Sequence, residues 1–259
     1  MSLTDPRTLN GWLPPHSLEW YKQLSEVAGD YRYSWKSKLA EPNGESIFDQ
    51  EVMQMVRGKK VLDVGCGHGE YTIQCGKLAK EIVGFDVTEA FIQTGLNNKL
   101  NNVSFVLGNT KNSLPFEDNE FDCVYIRKGP TSAYPHLKRV TKDGGTILGL
   151  HPGDEMNKEL PHLFPNLFKA TTGTPILDQL QDRLKNSHFT SYTIQTVNTK
   201  EYLESPIDVL KLRCFGQLPA IYEQLKEKDL QTITTIFNEN ATAEGLPITF
   251  SRYIVRAIV

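Results

Sequence analysis

The sequence predicts an α/β fold in which a doubly wound, mostly parallel sheet carries helices on both faces. Three observations support this prediction. Strand-like and helix-like segments alternate from about Lys59 to Leu150, a glycine-rich turn follows the first apolar strand, and an acidic residue ends the second. Such alternation is typical of parallel sheets, because each crossover between parallel strands usually contains a helix.

The individual elements are predicted from short apolar runs and from helix-start residues. The expected strands are Val61–Val64, Glu81–Asp86, Asn102–Leu107, Phe121–Ile126, Gly145–Leu150, His188–Asn198 and Ser251–Val259. The expected helices are Ser17–Ala28, Ser46–Val56, Glu70–Lys80 and a segment that runs from an N-cap at Thr88 towards Asn98. The last two strands are expected to pair as an antiparallel extension of the sheet.

The turn after the first strand has the pattern Gly-x-Gly-x-Gly at Gly65, Gly67 and Gly69. Glycine adopts positive φ and lets the backbone approach a ligand that a side chain would push away. The pattern differs from the Gly-x-Gly-x-x-Gly of dinucleotide-binding proteins. Asp86 ends the next strand about twenty residues later, where a doubly wound fold places a carboxylate on ribose hydroxyls. Together these features predict a nucleotide-cofactor site.

On these residues the chain resembles the class I S-adenosylmethionine-dependent methyltransferases, of the methyltransferase type 11-like kind. That family has an acid before a Gly-x-Gly-x-Gly loop and a second acid at the end of the next strand. The resemblance implies a seven-stranded Rossmann-like methyltransferase sheet, with S-adenosyl-L-methionine as cofactor and S-adenosyl-L-homocysteine as product. It also implies that Asp63, Gly65, Cys66 and Gly67 surround the amino-acid and sulfonium portion, and that Asp86 binds the ribose. In the alternative reading, the glycines only shape a tight turn and Asp86 only caps the following helix.

Residues after the neighbouring strand ends complete the expected cofactor site. Asn109 stands where the family often has an acid close to the adenine amine, and an amide oxygen can also accept a hydrogen bond from that amine. We therefore assign Val87, Asn109, Thr110 and Arg127 to the cofactor site as well.

The catalytic candidates lie after the fourth and fifth strands, because ligands of open α/β sheets bind outside the carboxyl ends of the strands. Arg127 and Lys128 either bind an anionic acceptor, or one pairs with an acid while the other faces water. His151 either acts as a general base or is a structural histidine. We take His151, Arg127, Lys128 and Tyr134 as the catalytic candidates.

Four regions are expected along the chain. Residues 1–57 form an N-terminal helical arm or lid, 58–198 the cofactor-binding core, 199–246 a helical insertion that caps the acceptor, and 247–259 the final strand of the core sheet. The aromatic run Tyr31–Lys36 in the arm either offers faces to a ring or a cation, or packs on the sheet.

Composition limits the function classes. The 259 residues carry a net charge of −3, without the basic excess typical of nucleic-acid-binding proteins. No apolar run of about eighteen residues suggests a membrane span, so we expect a cytoplasmic protein. The four cysteines are far apart and contain no C-x-x-C pair, which disfavours a metal site.

Three functions are consistent with these features. The first is in-line transfer of a methyl group to a small-molecule acceptor. The second is an rRNA or tRNA base methyltransferase with RNA as partner, because the run from Val61 to Arg127 is similar to large-subunit rRNA guanine methyltransferases. The third is a non-catalytic S-adenosylmethionine-binding protein. The acceptor atom and the oligomeric state are not predicted by the sequence.

Overall fold

The computed structural model describes residues 2–29 and 32–259, so Tyr31 of the aromatic run lies outside the described residues. In chain order the elements are α1 (Leu18–Ala28), β1 (Ser37–Leu39), α2 (Gly44–Met55), β2 (Lys60–Val64), α3 (Glu70–Gly76), β3 (Glu81–Asp86), α4 (Glu89–Asn98), β4 (Val103–Leu107), β5 (Phe121–Arg127), α5 (Tyr134–Val140), β6 (Thr141–Pro152), α6 (Leu160–Leu163), α7 (Pro175–Lys185), β7 (Ser191–Leu203), α8 (Pro206–Arg213), α9 (Pro219–Asn240) and β8 (Leu246–Ile258). Short 3-10 helices cover Pro6–Thr8 and Thr131–Ala133.

The strands form a mixed, mostly parallel sheet with the order β1-β7-β8-β6-β5-β2-β3-β4. Strands β2, β3, β4, β5 and β6 pair in parallel, whereas β8 is antiparallel to β6 and β1 is antiparallel to β7. The predicted doubly wound α/β fold is therefore confirmed. The prediction of seven strands misses one, because the described residues contain eight. The missed strand, β1, is only three residues long and contains Ser37 and Lys38, so no apolar run marks it.

The chain consists of two compact units. Unit 1 comprises Met1–Asn43, Glu155–Gly173 and Asn198–Ser251, and unit 2 comprises Gly44–Asp154, Thr174–Val197 and Arg252–Val259. Strands β7 and β8 each contribute residues to both units.

Unit 2 contains the glycine loop and buries apolar side chains on both faces of its sheet. Successive residues of a strand point to opposite faces. Val61 accordingly packs with Phe48 and Val52 of α2, while Leu62 packs on the opposite face with Leu137 of α5. Helices thus cover both faces, as expected for parallel strands.

Unit 1 has a hydrophobic core of its own. Helix α9 contributes one buried face, whose apolar members recur at multiples of four residues and so lie on one side of the helix: Ile221, Leu225, Ile233 and Phe237. No helix among residues 2–29 and 32–259 is long and apolar enough to cross a membrane.

Candidate functional site

Four parallel strands of unit 2 end along one edge of the sheet and bring the sequence-predicted residues towards it. Asp63 lies near the end of β2, Asp86 ends β3, and Arg127 ends β5. Asn109 and Thr110 follow the end of β4. Since the carboxyl ends of parallel strands share one edge, these residues line the region in which open α/β sheets bind ligands.

The glycine loop is fastened to the end of β3. Gly65 and Gly67 have φ values of +78° and +56°, the left-handed region that favours glycine. The Gly67 N–H donates to Asp86 Oδ2 at 2.9 Å, and the Thr88 N–H donates to Asp86 Oδ1 at 2.8 Å. Asp86 therefore fixes both the loop and the start of α4.

The first two glycines have different surroundings. A Cβ on Gly65 would lie 2.6 Å from Cδ of Pro130, so close packing requires glycine there. A Cβ on Gly67 would meet no atom within 4 Å. The loop thus presents its backbone at Gly67 to open space, which is the arrangement needed for a ligand to approach it closely.

Asp63 is buried and carries one oxygen without a partner. Its Oδ2 accepts hydrogen bonds from Thr72 Oγ1 at 2.6 Å and from Tyr125 Oη at 2.8 Å, whereas its Oδ1 has no partner. Burial raises the pKa of Asp63 to about 7. The hydrogen bonds from Thr72 and Tyr125 and the charge of Arg127 act in the opposite direction, but burial outweighs them. An unpartnered buried oxygen costs about 1–3 kcal/mol, so this oxygen suits a hydrogen-bond donor on a ligand.

Cys66 and Val87 flank this region in different ways. The Cys66 thiol is within 3.6 Å of the Gly67 carbonyl oxygen, and burial raises its pKa well above the ordinary value. The thiol is therefore neutral at pH 7 and is not an activated nucleophile. Val87 is 38% exposed, so its side chain is accessible.

The residues after β4 are held by local contacts. Asn109 Oδ1 accepts a hydrogen bond from the Lys111 N–H at 2.9 Å. Thr110 is buried, and its hydroxyl lies 2.6 Å from the hydroxyl of Ser132, which follows β5. The second contact joins the ends of β4 and β5.

Arg127 and Lys128 are both paired with acids of α2. Arg127 makes two hydrogen bonds of 2.8 Å to the carboxylate of Asp49, and Lys128 Nζ lies 3.1 Å from Glu45 Oε2. Arg252 donates to the other oxygen of Glu45 at 2.7 Å. Burial opposes ionisation of Glu45, but the three cations hold its pKa at about 2. The cluster therefore carries three positive and two negative charges.

Tyr134 and His151 form a buried pair. The Tyr134 hydroxyl lies 2.8 Å from His151 Nε2, and neither side chain is more than 1% exposed. Burial, assisted by the charge of Arg183, lowers the pKa of His151 to about 3. At neutral pH this imidazole does not bind a proton from water, so the structure favours the structural alternative for His151. The same burial favours a structural role for Tyr134 over the catalytic role that we expected.

Several residues that build the site were not among the sequence candidates. Thr72 and Tyr125 hold Asp63, and Glu45 and Asp49 hold the two cations. The hydroxyl of Tyr125 lies within the otherwise apolar run Cys123–Ile126, which is a signal that the sequence contained. In the structure Tyr125 pairs in register with Asp63. The acids of α2 gave no such signal, because helix-surface acids are common and ordinarily face water.

The cysteine spacing led us to expect no metal site. Among residues 2–29 and 32–259, no three His, Cys, Asp or Glu side chains are grouped so that they could hold a metal ion.

A family comparison agrees with this geometry. Residues 56–191, more than half of the chain, match the family model described as a methyltransferase domain. The chain belongs to this methyltransferase domain family. The matched region contains the glycine loop, Asp63, Asp86 and the Arg127–Lys128 pair, so the family assignment and the candidate site coincide.

Curated relatives of this methyltransferase domain include demethylmenaquinone methyltransferases of staphylococci. The protein of Staphylococcus saprophyticus is 33% identical over 147 residues, which are 52% of this chain and 62% of the relative. That of Staphylococcus aureus strain MRSA252 is 29% identical over 195 residues, covering 68% of this chain and 80% of the relative. The match to the S. saprophyticus protein thus spans less than two thirds of that relative.

Solved structures share the fold. A functionally unknown protein from Deinococcus radiodurans superposes with a TM-score of 0.60 at 19% identity, covering 93% of this chain and 98% of the other. The YcgJ protein from Bacillus subtilis gives a TM-score of 0.55 at 20% identity, with 82% and 98% covered. At these identities the similarity concerns the fold alone.

Proposed function

We propose that this chain is an S-adenosylmethionine-dependent methyltransferase that acts on a small-molecule acceptor. The observation that carries the proposal is the linked arrangement at the ends of β2 and β3. Asp86 holds the Gly67 N–H, Gly67 faces open space, and Asp63 keeps a buried oxygen without a partner. Membership of the methyltransferase domain family supports the same proposal.

The residues present fit the cofactor that the family resemblance implies. A carboxylate can accept about four hydrogen bonds. Asp86 accepts two from backbone N–H groups, which leaves acceptor capacity for ribose hydroxyls. The unpartnered Oδ1 of Asp63 suits the ammonium group of the cofactor's amino-acid portion. The open space at Gly67 leaves room for the cofactor beside the loop.

The cofactor, when bound, supplies a methyl group on a positively charged sulfonium, which is already a strong electrophile. The chain then has to hold the acceptor in line with that methyl group and to exclude water. Thr72 and Tyr125 orient Asp63, and Asp86 fixes the loop. The Arg127–Lys128 cluster has one positive charge in excess, which suits a carboxylate or phosphate on either ligand.

The proposal is tested by transfer of a labelled methyl group from S-adenosylmethionine into a fractionated cell extract. We expect label in the low-mass fraction. Label in RNA would favour the base-methyltransferase alternative. Binding of the cofactor without transfer to any fraction would favour the non-catalytic alternative. The Asp86→Ala variant, assayed in parallel, separates transfer by this chain from background transfer in the extract.

Purified acceptors refine the same assay. Demethylmenaquinone is the first to test, because the curated relatives carry that name.

The assay also tests our expectation of an acceptor cap formed by the N-terminal arm and the helical insertion. Variants in those segments should raise the KM of the acceptor and leave cofactor affinity unchanged. A cytoplasmic location remains part of this proposal and is tested by cell fractionation.

A further inference from the structure

Unit 1 contains a buried carboxylate that no cation neutralises. Glu201 lies on β7, is 4% exposed, and accepts one hydrogen bond, from the indole N–H of Trp35 to Oε1 at 3.1 Å. Its Oε2 is buried without a partner. Within the part of the chain that the structure describes, no Lys, Arg or His lies within ion-pair distance of Glu201. A buried charge without compensation costs several kcal/mol.

The two other buried acids of unit 1 in the described residues are satisfied. Asp208 accepts the Lys36 N–H on Oδ1 at 2.9 Å and the hydroxyl of Ser205 on Oδ2. Asp229 receives the Thr4 N–H on both oxygens at 3.3 Å. Both oxygens of Asp208 and of Asp229 thus accept hydrogen bonds from the chain itself. Glu201 differs from these two acids because its Oε2 has no such partner.

A second unpartnered group lies two residues away. The Thr199 hydroxyl is buried and has no hydrogen-bond partner. Residues two apart on a strand point to the same face, so Thr199 and Glu201 offer a hydroxyl and a carboxylate oxygen on one side of β7.

Aromatic side chains adjoin Glu201 through Trp35. The rings of Tyr33 and Trp35 are stacked with centroids 4.3 Å apart, and Phe215 meets Trp35 nearly edge-on at 5.7 Å. Tyr33 is 40% exposed, so the group reaches the surface of unit 1. Aromatic faces attract cations, and this attraction strengthens where water is excluded.

We propose that Glu201 and Thr199, with Trp35 and Tyr33, bind an ammonium group within unit 1. An ammonium ion donates hydrogen bonds to both unpartnered oxygens and neutralises the carboxylate, whereas a neutral hydroxyl leaves the charge uncompensated. This inference rests on the proposed function, because the ligand that we assign to the site is a methyl acceptor that carries an amine. An uncharged quinone acceptor lacks the group that the site selects.

The test uses the full chain and two probes of equal chain length, butylammonium and butan-1-ol, at pH 7. The chain has three tryptophans, and the indole N–H resonance of Trp35, assigned with Trp35→Phe, reports directly on Glu201. We expect butylammonium to shift this resonance and to bind about tenfold or more tightly than butan-1-ol. Equal binding of the two probes, or no shift with either, overturns the proposal.

Two variants test whether the charge of Glu201 is responsible for butylammonium binding. Glu201→Gln keeps an acceptor for Trp35 and removes the charge, so it should lower butylammonium affinity to the level of the alcohol. Glu204→Gln removes an equal charge from an exposed position three residues later and should change nothing. Unchanged amine affinity in Glu201→Gln also overturns the proposal.

Calorimetry with S-adenosylmethionine separates this inference from the proposed function. Glu201→Gln should bind the cofactor as the wild type does. If the wild type does not bind the cofactor, the proposed function fails whatever the amine result. If the cofactor binds but butylammonium does not, only the ammonium site fails.

Discussion

Replacement of Asp63 by asparagine should weaken cofactor binding. It should also raise the unfolding free energy of the variant, relative to that of the wild type, by more at pH 8 than at pH 5. The asparagine side chain is nearly the same size, and its amide oxygen can accept the hydrogen bonds that Thr72 and Tyr125 now donate to Oδ2 of Asp63. The substitution removes the negative charge that burial disfavours. It also places an amide N–H₂ where Oδ1 is now unpartnered.

The magnitude follows from the pKa of Asp63. Burial raises that pKa from 3.8 to about 7, so folded Asp63 keeps its proton at pH values where the unfolded chain has lost it. The stability of the wild type therefore falls as the pH rises from about 4 to about 7. One pKa unit corresponds to ~1.4 kcal/mol, and the slope fades near pH 7 as folded Asp63 also loses its proton, so the fall between pH 5 and pH 8 is ~2.5 kcal/mol. Asparagine does not titrate, so the difference in unfolding free energy between variant and wild type should widen by that amount.

Urea unfolding at pH 5, 6, 7 and 8, followed by far-ultraviolet circular dichroism, measures this difference. The three tryptophans of the chain, Trp12, Trp20 and Trp35, all lie in unit 1, whereas Asp63 lies in unit 2. Tryptophan fluorescence therefore follows the unfolding of unit 1 and can be compared with the circular dichroism of the whole chain. Asp122→Asn is the control: Lys142 and the Lys60 N–H lower the pKa of Asp122 below its ordinary value of 3.8, so this carboxylate is ionised in both the folded and the unfolded chain above pH 5. The difference for this control should therefore not vary between pH 5 and pH 8. A difference for Asp63→Asn that stays constant from pH 5 to pH 8 would refute the reasoning.

The remaining predictions concern the same unit. Asp86→Ala should lower S-adenosylmethionine affinity by about 10- to 100-fold in calorimetry, since a hydrogen bond to a charged group contributes ~1.5–3 kcal/mol; unchanged affinity would mean that the ribose is held elsewhere. Gly67→Ala should lower cofactor affinity more than Gly144→Ala, which has a similar positive φ and equally open surroundings, and equal effects would contradict the loop assignment. Glu45→Gln should cost ~3 kcal/mol at pH 7 and progressively less from pH 4.5 to pH 2, because the pKa of Glu45 is lowered from 4.5 to about 2; a loss that does not vary with pH in urea unfolding would oppose this. The His151 ring resonances should not titrate between pH 5 and pH 8, and a midpoint near the ordinary value of 6.5 would contradict its burial.

The elements of unit 2 could be predicted because their signals are local. The glycine loop, the apolar strands and the acid at the end of β3 are each defined within a few residues. Thr88 was expected as an N-cap and occupies that position, but its side chain makes no capping hydrogen bond. Asp86 instead accepts the Thr88 N–H, two residues away in sequence.

The environment of the catalytic candidates could not be predicted, because it depends on residues distant in sequence. Arg127 and Lys128 are paired by acids 78 and 83 residues earlier in the chain. The contact between Tyr134 and His151 depends on Gly149, where a Cβ would collide with the Tyr134 hydroxyl. Sequence spacing alone does not reveal either arrangement, since both arise only when helices pack on the sheet.

The most direct measurement is a calorimetric titration of the wild-type chain with S-adenosylmethionine at pH 8, with Asp86→Ala titrated alongside. We expect saturable binding at one site per chain, greatly weakened in the variant while its circular dichroism spectrum is retained. Absence of binding to the folded wild type would contradict the assignment of the glycine loop, Asp63 and Asp86 as a cofactor site.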